Sequence, residues 1–104
     1  MERKIEELKK RREEQQGYLQ DPNISRDTEK LKSAARELSG LEAILSDWEK
    51  QERIQKSIAV TERSLIEETD EDLKTLAREE LISLHKEKER FATVMKNHFA
   101  PKDL

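Results

Sequence analysis

The sequence contains no cysteine, so disulfides and thiolate metal sites are excluded. Its only glycines are Gly17 and Gly40, which leaves no glycine-rich loop to cradle a phosphate and no Gly-x-Ser-x-Gly turn to present a serine. Prolines are two, Pro22 and Pro101, so long stretches run without a breaker. Hydrophobic residues make up 33% and aromatic ones 4%, too little apolar material for a deep core. No apolar run approaches the roughly 18 residues of a membrane span. The N-terminus begins with mixed charge and lacks the apolar core of a signal peptide. Neither sign of charge dominates: 21 Lys and Arg oppose 24 Asp and Glu, for a net −3. No global attraction to nucleic acid follows, and any such contact has to be local.

What is present is charge and period. Charged residues reach 43% of 104, a length that allows one domain at most. From Asp27 to about Ile66 there is no proline, and Leu31, Ala34, Leu38, Leu41, Leu45 and Trp48 return every three or four places. The stripe slips and resumes at Ile54, Ile58 and Leu65. This is the helical period, and it argues against disorder in so charged a chain. Around 40 helical residues span roughly 60 Å, so the other segments must lie along this rod.

On either side stand two shorter helical patterns. Residues 2 to 19 carry Ile5, Leu8 and Leu19, with Arg12 and Gln15 in the stripe positions between. Glu6 with Lys10, and Glu7 with Arg11, are spaced for helix support. Asp21-Pro22-Asn23 breaks this helix, and Ser25 or Asp27 is placed to cap the next. The second break holds five carboxylates in residues 67 to 72, without the glycine or ligand spacing of a calcium loop. Thr69 reads as the N-cap there, with Asp70, Glu71 and Asp72 facing the positive helix end. The third helix has Leu73, Leu76/Ala77, Leu81, Leu84, Phe91, Met95 and His98 as its stripe. Helices over about 2–19, 26–66 and 70–99 in one domain, 1–104, give an all-α fold: an elongated antiparallel three-helix bundle or coiled coil with a long central helix. Short breaks set Leu8 and Ile5 beside Leu38 and Leu41, and return the third helix with Phe91 beside Leu45 and Met95 beside Leu41.

Candidate functional residues are few. The run Lys9-Lys10-Arg11-Arg12 is a possible phosphate-binding patch, or a solvated face, since the first fourteen residues hold six basic and five acidic side chains. His85 and His98 lie thirteen apart and make no metal pair on one turn. Trp48 reads as core, and Gly40 as a tolerated glycine at a cost of about 1 kcal/mol against alanine. No catalytic set, cofactor site or metal site emerges, and the chain reads as no enzyme.

In order, the pieces resemble a known family. Leu19-Gln20-Asp21-Pro22 follows a short first helix. The long helix holds Ala35-Arg36-Glu37-Leu38, and after the acidic turn comes Leu76-Ala77-Arg78-Glu79-Glu80-Leu81. The end is Pro101-Lys102-Asp103. This series resembles the N-terminal domain of bacterial-type class I peptide chain release factors. The Pro-Lys-Asp ending is similar to the kind that reads UAA and UAG rather than its UGA-reading paralogue. The family's Gly-Gly-Gln hydrolysis motif and its Pro-x-Thr-type codon-reading motif have no counterpart here, so the chain looks like an excised N-terminal domain. The resemblance implies a cytoplasmic monomer that, within the whole factor, lies near the base of the ribosomal stalk. It also implies a share in docking the methyltransferase that modifies the factor's glutamine. It assigns no individual residue to either role. Two other readings compete: a free-standing coiled-coil scaffold that dimerises through its stripes, and a tRNA-binding helical arm, against which the Asp-Pro break and three segments argue.

Overall fold

Each interruption of the helical pattern is made by side chains that bond to nearby backbone. Asp21 Oδ1 accepts from the Asn23 amide at 2.9 Å, and the Ser25 hydroxyl donates to the Pro22 carbonyl at 2.8 Å. Ser25 is thus engaged in the turn. Asp27 is the residue that caps, its Oδ1 accepting from the Lys30 amide at 3.2 Å. At the second break Asp70, not Thr69, is the N-cap: its side chain accepts from the amides of Asp72 and Leu73 at 2.8 and 3.3 Å. Glu68 Oε1 accepts from both the Thr69 and Asp70 amides at 3.0 Å, and the free amides at the start of the helix are taken by Asp70 instead of Thr69. Asp70 is held extended, with φ −79 and ψ 121, and the helix begins one residue later.

The computed structural model describes residues 1–100. The Pro101-Lys102-Asp103 ending lies outside them. Within the described residues are three α-helices, α1 (Glu2–Leu19), α2 (Thr28–Glu67) and α3 (Glu71–Phe99), and no strand. The expected all-α class and long second helix are both present. At 40 residues, α2 runs about 60 Å.

The chain divides into two compact units, Met1–Ser46 and the part from Asp47 on. In the first, α1 packs antiparallel on the opening turns of α2, and Arg11 Nε donates to Glu37 Oε1 at 2.9 Å. Ile5, Ala34, Leu41 and Leu45 are its buried residues. Leu8, Arg12, Gln15 and Leu19 line up behind Ile5 and are half-buried, as their spacing predicts. Each fully buried aliphatic side chain contributes about 1.5–3 kcal/mol.

In the second unit the rest of α2 packs antiparallel on α3. Ile54, Ile58 and Met95 are buried, and so is Thr61 at 9% exposure. Half-buried Gln51 fills the place where the apolar stripe slips, and Thr61 fills the gap between Ile58 and Leu65. The inward line of the helix is therefore unbroken, and only its hydrophobicity lapses. On α3 the inward line differs from expectation near the start. Lys74, Ala77, Leu81 and Leu84 are half-buried, whereas Leu73 and Leu76 are exposed. At the other end His98 Nε2 donates to Asp47 Oδ2 at 2.8 Å. This bond sets α3 more than one turn further toward the C-terminal end of α2 than the register expected from the sequence. The extended connection at Asp70 carries the chain outward before α3 starts, which accounts for the direction of the shift.

A Cβ built on Gly40 meets nothing within 4 Å, and its φ is not positive. Gly40 is a tolerated glycine, serving neither a close approach nor a left-handed turn.

Candidate functional site

Four consecutive basic residues on a helix cannot share a face, because successive side chains are turned by about 100°. The structure spreads them accordingly. Arg12 lies half-buried on the inward stripe of α1, and Lys9 flanks that stripe, half-buried, with its Nζ 3.4 Å from Glu6. Lys10 faces solvent and makes none of the ion pairs on this helix. Arg11 is exposed on the side toward α2, where it pairs with Glu37 at 2.9 Å and Glu14 at 3.4 Å. The supports expected from spacing, Glu6 with Lys10 and Glu7 with Arg11, give way to Glu6 with Lys9 and Arg11 with Glu14 and Glu37. The hydrogen bond to Glu37, and then that carboxylate's charge, hold the Arg11 guanidinium above its ordinary pKa. Its positive charge is largely answered within the fold.

The packing of α1 on α2 brings in residues that the basic run did not include. Arg11, Gln15 and Tyr18 from α1 meet Lys30, Ser33 and Ala34 from α2 around a shallow groove of about 350 Å³. Lys30 is itself 3.9 Å from Asp27. The groove's helical neighbours 11, 15 and 18 were visible in the sequence as an i, i+4, i+7 set; their partners on α2 needed the register.

No catalytic arrangement accompanies this surface. Among the described residues no group of three or more His, Cys, Asp or Glu is placed to hold a metal ion. His85 is exposed, and His98 is spent on Asp47. No helix among the described residues is long and apolar enough to cross a membrane. What the molecule offers is surface: a charged helical face in one unit and helical grooves in both.

Comparison with known proteins places this arrangement. The chain is 32% identical over 103 residues to peptide chain release factor 1 of Treponema denticola, covering 99% of this chain and 28% of that protein. It is 29% identical over 99 residues to peptide chain release factor 1 of Lacticaseibacillus casei, covering 95% of the chain and 28% of that protein. With the protein of the same name from Listeria welshimeri it shares 27% over 100 residues, 96% of the chain and 28% of that protein. The chain thus spans little more than a quarter of the length of these relatives. No solved structure matches it at a significant level. The family model for the PCRF domain matches residues 8–104, from Leu8 in the first helix through the Pro-Lys-Asp ending. The resemblance carried by the ordered motifs is upheld, and the chain belongs to the PCRF domain family, as the N-terminal domain of a class I peptide chain release factor.

Proposed function

We propose that residues 1–104 act as one helical domain that helps a UAA/UAG-reading release factor associate with the ribosome during translation termination in the cytoplasm. The observation that carries this reading is the family match over residues 8–104. The domain supplies no catalytic group; peptide release belongs to other parts of the factor. Its place is near the base of the ribosomal stalk, and it takes part as a monomer. The methyltransferase that modifies the factor is a second partner of the same domain.

Within this reading the ribosome-facing contact expected of the Lys9, Lys10, Arg11 and Arg12 run narrows to Lys10, because Lys9 and Arg12 turn toward the packed stripe of α1 and Arg11 is paired within the fold. Lys10 is exposed and outside the helix's ion pairs, whereas Arg11 is engaged by Glu37. A complete factor lacking residues 1–104 should associate with ribosomes more slowly than the intact factor. Unchanged association after that deletion would reject the proposed role. Lys10→Glu in the complete factor should slow association at low salt, with the difference shrinking as salt shortens the electrostatic range. Arg11 is unsuited to the same reversal, because a glutamate there would face Glu37 and Glu14.

A further inference from the structure

The α2–α3 hairpin leaves apolar surface on one face near its turn. Val60 is 65% exposed, Leu73 49% and Leu76 59%. These three side chains edge two adjoining hollows of about 250 and 420 Å³, which share Thr61, Ser64 and Glu80. Small residues, Ser64 on α2 and Ala77 on α3, form part of the lining between the leucines and the valine. A trough whose lining includes small residues beside apolar edges has the form that accepts a further helix, ridge into groove.

Charge decides among possible occupants. Residues 56–82 carry Glu62, Glu67, Glu68, Asp70, Glu71, Asp72, Glu79 and Glu80 against Lys56, Arg63, Lys74 and Arg78, and of these Glu68, Glu80 and Lys56 line the hollows. Lys74 is already 3.5 Å from Glu71. Glu68 and Glu80 sit in the lining itself, and Glu68 is fixed there by its bonds to the Thr69 and Asp70 amides. Nucleic-acid phosphates and anionic lipid headgroups would meet like charge. A second copy of this chain, docking face to face, would bring the same acidic rim against itself. A helix with an apolar stripe flanked by lysine or arginine satisfies both the leucine edges and the carboxylates.

We infer that this groove docks a basic amphipathic helix of a partner protein. The inference goes beyond the ribosome-association reading and stands independently of the α1 basic cluster, which lies in the other unit.

The test uses this chain, isotopically labelled, and amide chemical shifts. One probe is a synthetic helical peptide of about four turns with a leucine stripe flanked by lysines. The second carries the same stripe flanked by glutamates. The third is a scramble of the first that has no stripe. The lysine peptide should shift the amides around Val60, Ser64, Leu73 and Leu76, and bind at least about tenfold more tightly than either control. Leu73→Ser with Leu76→Ser should abolish those shifts while helicity is retained. Should that pair lose helicity, Val60→Ser alone should weaken binding by several-fold. Equal binding of the scrambled peptide, shifts centred elsewhere, or no binding overturns the inference. So do matching shifts from an RNA hairpin, from anionic vesicles, or on raising the concentration of the chain alone.

Discussion

Leu41 and Leu76 both fall on helical stripes in the sequence, yet the structure gives them opposite fates. Leu41 is 7% exposed and Leu76 59%. Leu→Ala at each position removes the same atoms. At Leu41, the lost transfer of three carbons at about 0.8 kcal/mol each gives about 2.4 kcal/mol. A residual cavity adds to this, but a core of few buried side chains collapses more readily than a deep one. We expect a loss of about 3 kcal/mol, within the range of about 2–5 seen for such changes. For a domain of this size that lowers Tm by roughly 12–20 °C. At Leu76 the loss should stay below about 1 kcal/mol. Urea and thermal unfolding, followed by far-UV circular dichroism and by Trp48 fluorescence, measure both variants. Equal losses, or a loss below about 1 kcal/mol for Leu41→Ala, would refute the assignment of core and surface.

The caps and the long helix give further expectations. Asp70→Ala should cost about 1 kcal/mol in unfolding experiments, while Thr69→Ala stays within about 0.5 kcal/mol; the reverse order would return the cap to Thr69. Gly40→Ala should stabilise the protein by up to about 1 kcal/mol, since the added methyl meets nothing within 4 Å and the unfolded chain becomes stiffer. A measured destabilisation would mean that Gly40 is in close contact after all.

Much of the fold was legible because period outweighs composition in helices. The line Ile5, Leu8, Arg12, Gln15, Leu19 was found even though two of its members are polar, since spacing alone marked them. The same spacing runs on through Gln51, so the apparent slip in α2 is a lapse of hydrophobicity and not of period. Leu73 and Leu76 were misplaced because Leu73, Leu76, Ala77 and Leu81 permit two overlapping lines, and the choice depends on how far α3 is rotated. That rotation follows from the turn at Glu68 and Asp70, where one carboxylate takes the Thr69 and Asp70 amides and the other those of Asp72 and Leu73. The pairing of Asp47 with His98 spans 51 residues and had no local signal. The basic run was legible as charge but not as a patch, although the 100° step between neighbours already dispersed it.

The two long-range pairs also imply an order in time. Arg11 and Glu37 are separated by 26 residues, Asp47 and His98 by 51. Closing a chain on itself costs more entropy as the intervening segment lengthens, so each hairpin starts at its turn and zips away from it. We expect the second hairpin to nucleate at the Glu68–Asp70 turn, with its carboxylate bonds, and the meeting of His98 with Asp47 to be its last event. An interaction that late is absent from the transition state and acts on the rate of opening alone. His98→Ala should therefore speed unfolding and leave refolding unchanged; a matching slowdown of refolding would place the pair in the nucleus instead. On this account the bond at the far end of α3 governs how long the hairpin stays closed, while the acidic turn governs how fast it forms.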